Sequence, residues 1–208
     1  MELIVITPPV NINDEISLVK EMFKSGLYRL HLRKENSGID AYRNYLQQIP
    51  AVFNSQVSVH DYPELLKEFP GIGFHCKTSV WKDEKRLNEV LSFSSSSIMS
   101  ASFHSWDEML QVRSDFDYAF ISPVFNSISK PGYPSNIDIT KVKTTKQHLN
   151  RNQKNVTKIY ALGGIDATNV PKLLDAGFDG AAVLGAVWQS DDCLTAFETI
   201  NRQLKEFQ

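Results

Sequence analysis

An α/β fold of the (β/α)8 TIM-barrel type, in a single domain over residues 1–208, is the expectation that three observations support. Short apolar runs rich in β-branched and aromatic residues alternate with segments of helical period. Eight such runs can be counted. No Gly-x-Gly-x-x-Gly follows the first of them, which argues against the open doubly wound sheet, the other alternating architecture. Dividing 208 residues among eight units leaves 26 for each. That is compact for a barrel, which runs from about 200 residues upward, and leaves no room for a second domain.

The first run, Leu3–Thr7, follows an N-terminus with no basic stretch, and its apolar core is shorter than that of a signal peptide. It reads as a strand. Asp14–Ser25 is the first helix, with Asn13 or Asp14 as its cap and Gly26 as its stop. Leu27–Leu32 and Asp40–Ile49 form the second unit. Val57–His60 is the third strand, followed by a short helix over Pro63–Phe69, where the missing proline N–H costs nothing. Ile72–His75 leads to a helix over Lys82–Leu91. Ile98–Ser102 leads to one over Trp106–Val112, where Ser105 and Glu108 have capping-box spacing. Tyr118–Ser122 is followed by a loop over Pro123–Asn136, rich in Ser, Pro and Gly, and then by a helix over Ile137–Asn150. A long loop in a compact domain is usually functional, and in a barrel it lies on the C-terminal face, where sites are built. Lys158–Leu162 precedes a helix over Thr168–Ala176, which Thr168 can cap and Gly177 can end. Gly180–Leu184 and Asp192–Phe207 complete the set.

Composition narrows the function classes. Hydrophobic residues make up 42% and charged residues 22%, which fits a soluble globular chain. The net charge of −2 provides no bulk positive field for nucleic acid, so any anion must be held locally. No run of about 18 apolar residues indicates a membrane span. Cys76 and Cys193 fit no Cys-x-x-Cys spacing, so a reducing cytoplasm suits the chain better than a disulfide framework. The oligomeric state is open, a homodimer included.

Five groups could carry chemistry. Gly163, Gly164 and Gly185 follow the seventh and eighth strands, where barrels often bind phosphate through backbone N–H groups; they serve equally well as tight turns. His31 and Arg33 share a face at the end of the second strand, and Arg33 can fork onto a phosphate. The alternative is a solvated Arg33-Lys34-Glu35 surface run. Ser127, Ser129 and Lys130 place two hydroxyls and an ammonium within four residues, enough to wrap an anion or simply to make a polar loop. His60-Asp61, His75 and His104 stand at strand ends as acid/base or metal candidates, without the His-x-x-x-His spacing of a dedicated zinc site. Ser102 and its neighbours lack a Gly-x-Ser-x-Gly elbow and read as hydrogen-bonding groups.

As an ordered set these stretches resemble the thiamine phosphate synthase family and its relatives, the thiazole tautomerases. The matching parts are Leu30–Arg33, Ser102-x-His104, Ser122–Phe125, Ser127-x-Ser129-Lys130-Pro131-Gly132, Ala161–Ile165 and Ala176-Gly177-x-Asp179-Gly180. The resemblance implies a barrel transferase of thiamine biosynthesis. Hydroxymethylpyrimidine diphosphate loses pyrophosphate, and the pyrimidine methylene cation is captured by the nitrogen of a thiazole phosphate. Carried over by position, Arg33, Ser127, Ser129 and Lys130 hold the pyrophosphate, and Asp61 helps to bind Mg2+. Ser102 hydrogen-bonds in the cleft, with His60 and His104 beside the substrates. Gly163, Gly164, Leu184 and Gly185 hold the thiazole phosphate. His31, Ser102 and Lys130 are the residues nearest the chemistry.

Three departures fall on the diphosphate half. The family's Arg-Glu-Lys is Arg33-Lys34-Glu35 here, its Asn-Asp is His60-Asp61, and Cys76-Lys77-Thr78 stands where a second metal carboxylate is expected. These changes keep two alternatives open. One is a tautomerase that aromatises the thiazole carboxylate phosphate, with His31, His75 or His104 as base, since Pro123 replaces the histidine expected after strand six. The other is a catalytically silent barrel that binds a phosphorylated ligand.

Overall fold

The computed structural model describes residues 1–93, 97–112, 115–126, 135–151 and 156–206. Eight strands, all parallel to their neighbours, close into a barrel in sequence order, with β8 pairing back onto β1. They are β1 (Glu2–Ile6), β2 (Arg29–Leu32), β3 (Val57–Val59), β4 (Gly73–Cys76), β5 (Met99–Phe103), β6 (Phe116–Ile121), β7 (Val156–Leu162) and β8 (Gly180–Val183). Between and after them run α1 (Glu15–Lys24), α2 (Ile39–Gln48), α3 (Leu65–Glu68), α4 (Thr78–Trp81), α5 (Glu84–Phe93), α6 (Trp106–Gln111), α7 (Val142–Arg151), α8 (Val170–Ala176), α9 (Gly185–Trp188) and α10 (Cys193–Glu206). Among the described residues no helix is long and apolar enough to cross a membrane.

Strand alternation sorts side chains into two layers. Leu3 and Val5, Leu30 and Leu32, Val57 and Val59, Phe74 and Cys76, and Ala101 and Phe103 pack outward in one continuous core with the helices. Ile4, Ile6, Tyr118, Phe120, Tyr160 and Ala182 fill a second, inner core. On β2 to β5 the intervening positions are polar instead: Arg29 and His31, Ser58, His75, Ser100 and Ser102. Barrel interiors are usually layered with Val, Ile and Leu. Toward the mouth this one is apolar over β6, β7, β8 and β1 and polar over the other four strands, while at the opposite end Glu2 of β1 and Lys158 of β7 pair at 2.7 Å.

Several boundaries differ from the sequence expectation for identifiable reasons. β2 begins at Arg29, because Leu27 still donates to Met22 O and closes the end of α1, with Gly26 at φ +88°. Asp14 precedes α1 in a left-handed conformation and makes no side-chain cap. The helix expected over Lys82–Leu91 is α5, which starts at Glu84, and a separate short helix not expected from the sequence, α4, precedes it. The Asp83 carboxylate starts α5 by accepting from Lys85 N and Arg86 N at 3.1 and 3.2 Å. The third helix starts at Leu65, after a turn through Tyr62, Pro63 and Glu64. The helix expected from Ile137 opens as a 3-10 turn over Ile139–Lys141, capped by Asp138, before α7. Asn169, not Thr168, precedes α8; Thr168 Oγ1 instead donates to Asp166 at 2.6 Å. Ser105 caps α6 as expected, accepting from Glu108 N, while the Glu108 carboxylate accepts from His104 N at 2.9 Å. The C-terminal helix α10 closes the barrel's outside, burying Phe197, Ile200 and Leu204, and Leu204 O accepts from the chain's amino terminus at 3.0 Å.

Candidate active site

A cavity of about 510 Å³ opens at the C-terminal mouth of the barrel. Strand ends dictate who reaches it. Arg33 follows His31 with the same parity, Lys77 follows His75, and both cations line the cavity on the β2–β4 side. Across from them the wall is made by the turns after β7 and β8: Gly163, Gly164 and Ile165, and Leu184, Gly185 and Ala186. Ile6, Phe120, Pro123 and Leu162 supply apolar surface between these ends, while His60, His75, Ser102, His104, Thr78 and Ser122 supply polar groups.

The glycines after β7 are demanded by sterics before any ligand is considered. Gly164 has φ +66°, and a Cβ there would lie 2.7 Å from the Phe125 carbonyl carbon; at Gly163 it would lie 3.0 Å from Pro123 Cα. Segment 123–126 is held against this turn by Val124 N to Leu162 O at 2.9 Å and Phe125 N to Gly163 O at 3.0 Å. Both the tight-turn reading and close ligand approach are therefore open to these residues.

On the cationic side, the Lys77 ammonium pairs with the Asp61 carboxylate, whose other oxygen accepts from Tyr42 Oη at 3.1 Å. Arg33 pairs with Glu35 at 3.2 Å and remains two-fifths exposed. Lys34 overturns the reading of a solvated Arg-Lys-Glu run: it is buried and pairs with the equally buried Glu15 at 2.7 Å. Lys34 thus belongs to the scaffold between β2 and α1, not to the cavity. Asp61 lies behind Lys77 and does not line the cavity.

Beneath the cavity lies a connected set of buried rings. His31 Nε2 is 2.6 Å from Tyr118 Oη, and His31 Nδ1 is 2.9 Å from His60 Nε2. His75 is held at both nitrogens, by Ser100 Oγ and Ser102 Oγ, each at 2.8 Å. His31 is completely buried and does not line the cavity, so among the expected residues it can act on a ligand only through His60. Burial holds all three imidazoles below their ordinary range, His75 at about 3, with Arg33 and Lys77 adding repulsion at His60 and His75 and Arg29 doing so at His31. They are neutral near pH 7. Arg29 sits lower in the barrel, donating to Ser55 O at 2.8 Å and Ser58 Oγ at 3.2 Å. His104 is exposed at the rim, its Nδ1 3.2 Å from Ser122 O.

The structure therefore brings Arg33, His60, Ser102, His104, Gly163, Gly164, Leu184 and Gly185 to one cavity and leaves His31 and Asp61 just outside it. Ser127, Ser129 and Lys130 lie outside the described residues. Sequence reasoning missed the walls Ile6 and Phe120. Strand parity could have found them, since Ile6 continues the inward set of Ile4, and Phe120 that of Tyr118.

The model of one protein family, described as thiamine monophosphate synthase, matches residues 3–187. The thiamine-phosphate synthase of Methanococcus maripaludis is 25% identical over 207 residues, covering 95% of this chain and 92% of its own. That of Listeria monocytogenes is 26% identical over 200 residues, covering 91% and 87%. Among solved structures, a thiamine phosphate pyrophosphorylase from Bacteroides thetaiotaomicron is 25% identical with a TM-score of 0.72, covering 100% of this chain and 99% of its own. One from Pyrococcus furiosus, 20% identical, has a TM-score of 0.80 over 99% and 96% and supports the fold.

Proposed function

The chain belongs to the thiamine monophosphate synthase family, and from that premise we infer that it is a transferase of thiamine biosynthesis, joining hydroxymethylpyrimidine diphosphate to a thiazole phosphate with release of pyrophosphate. The observation that carries this reading is the family match over residues 3–187, nearly the whole barrel. The cavity has the polarity such a reaction needs: cations at one end, the glycine-bearing turns after β7 and β8 at the other, and an apolar middle that accepts flat rings.

In this reading Arg33 and Lys77 attract the diphosphate and stabilise charge building on the departing pyrophosphate. Ser127, Ser129 and Lys130 add to that grip. Gly164, Leu184 and Gly185 hold the thiazole phosphate by backbone N–H groups, with Gly163 shaping the turn. Phe120 and Ile6 confine the pyrimidine so that its methylene carbon faces the thiazole nitrogen. Because the pyrimidine ring itself expels the leaving group, positioning and charge stabilisation supply most of the effect. Ser102, fixed by His75, the buried His60 in the cavity wall and His104 at the rim orient the substrates by hydrogen bonds. Both ligands are small phosphorylated molecules, and the two free cysteines suit a reducing compartment.

The resemblance implies Mg2+ at Asp61, but the described side chains do not fit it. Mg2+ requires several oxygen ligands in near-octahedral array. Asp61 has one oxygen paired with Lys77 and the other bonded to Tyr42. Among the described residues the only grouping of three or more potential ligands is histidine, not carboxylate.

The test is incubation with both substrates, with and without Mg2+, following pyrophosphate and thiamine phosphate. Both products should accumulate in equal amounts. Absence of pyrophosphate at saturating substrates would overturn the assignment.

A further inference from the structure

We propose that His31, His60 and His75 form a binding site for one divalent transition-metal ion that prefers imidazole, such as Zn2+ or Co2+, with its remaining position facing the cavity. The proposal stands apart from the transferase reading and is tested without its substrates.

The three histidines come from adjacent strand ends, β2, β3 and β4. His60 and His75 are level, since the preceding residues Val59 and Phe74 are register partners. Their ring centroids form a near-regular triangle with sides of 4.3, 5.1 and 5.2 Å. One potential ligand atom from each lies within 4.8 Å of the other two. Three imidazoles around a tetrahedral Zn2+, at about 2.0–2.1 Å from nitrogen to metal, hold their nitrogens about 3.3 Å apart and their ring centres about 5 Å apart. The 2.9 Å separation of His31 Nδ1 and His60 Nε2 would open by a few tenths of an ångström.

The surroundings have the arrangement that metal-bound histidines use, in which the far ring nitrogen is held by a protein oxygen. Tyr118 Oη holds His31 Nε2 and leaves Nδ1 turned toward His60. Ser100 Oγ holds His75 Nδ1. His75 Nε2 is then the ligand, and it would exchange the Ser102 hydroxyl for the metal. Three buried neutral imidazoles with no carboxylate among them select against Mg2+ and Ca2+ and for Zn2+, Co2+ or Cu2+. His60 and His75 also line the cavity, so the open position faces whatever occupies it. With Arg29, Arg33 and Lys77 nearby and no protein anion among the ligands, the fourth ligand fitting this site is an anionic oxygen of the cavity's occupant, a carboxylate or phosphate.

The experiment is titration of the chelator-stripped full-length protein with Co2+, followed by visible absorption and by metal content after dialysis. One equivalent should bind and develop the absorption of a low-coordinate, nitrogen-ligated Co2+. One equivalent of Zn2+ should abolish that absorption, and excess Mg2+ should leave it unchanged. His60→Gln and His31→Gln should each lower Co2+ affinity about 100-fold or more. Tyr118→Phe, which keeps the ring and removes only the hydroxyl, should lower it about 10–100-fold. Cys193→Ser should not change it. Failure of the wild-type protein to retain one equivalent overturns the proposal regardless of how any variant folds. So does undiminished binding in a folded His60→Gln variant.

Discussion

Lys34 and Lys77, two lysines with different surroundings, show how context sets a residue's role. Lys34 and Glu15 are both buried and bonded at 2.7 Å, with Tyr45 also donating to Glu15 at 2.9 Å. Removing one partner leaves a charge in an apolar setting, which typically costs about 3–5 kcal/mol. Lys34→Met should lower stability by that order in denaturant melts, and the double variant Lys34→Met/Glu15→Leu should recover most of the loss. A double variant no more stable than the single one would show that the pair is not the source. Lys77 is partly solvated and lines the cavity. Lys77→Ala should therefore leave the melt within about 0.5 kcal/mol of wild type. It should weaken pyrophosphate binding about tenfold, measured by calorimetry, with thiazole phosphate binding unchanged. Equal weakening of both ligands would place them at the same end.

Elements carry their own signals, and α6 is the clearest. Ser105 accepts from Glu108 N at 3.1 Å, and Glu108 reaches back to the His104 N–H. The helix is only six residues long, so its cap matters. Ser105→Ala should cost about 1 kcal/mol in chemical denaturation, and Ser105→Asp should cost less than half of that. Local chemistry of this sort was legible in the sequence: Ser105 with Glu108, Gly26 and Gly177 after their helices, and eight β-rich runs. What hydrophobic period missed was the hydrogen bonding inside turns. The start of α5 at Glu84 depends on the Asp83 carboxylate accepting from Lys85 N and Arg86 N, and the late start of β2 depends on Leu27 closing α1. Neither leaves a mark on hydrophobic periodicity, which is blind to where a turn's hydrogen bonds go.

Across the barrel as a unit, three buried neutral histidines make stability depend on pH. Their folded pKa values lie below the unfolded value of 6.5, mainly through burial, with Arg29, Arg33 and Lys77 adding repulsion and Tyr118 also facing His31. Below pH 6.5 the unfolded chain therefore binds protons that the native chain refuses. Stability of the metal-free protein is unaffected by these groups above that pH and falls as pH drops toward about 3, where His75 titrates in the fold. The slope approaches about 1.4 kcal/mol per pH unit for each histidine. Urea melts at pH 7.5, 6 and 5 should show the decline, and His75→Gln should flatten it. A flat profile in the parent would mean that the rings are protonated inside the barrel.

Composition and alternation alone specified an eight-fold βα chain, and residue order alone pointed to its family, because apolar period and turn chemistry are written locally. Closure of the sheet, by contrast, determined which strand-end side chains share a space: it gathered Arg33, Lys77 and the two glycine turns around one mouth and left Asp61 behind Lys77. The same closure put His31 behind His60 rather than in the cavity wall. Depth within a barrel follows from strand register and tilt, which are set by hydrogen bonds between residues far apart in the chain. A single sequence carries no local trace of them.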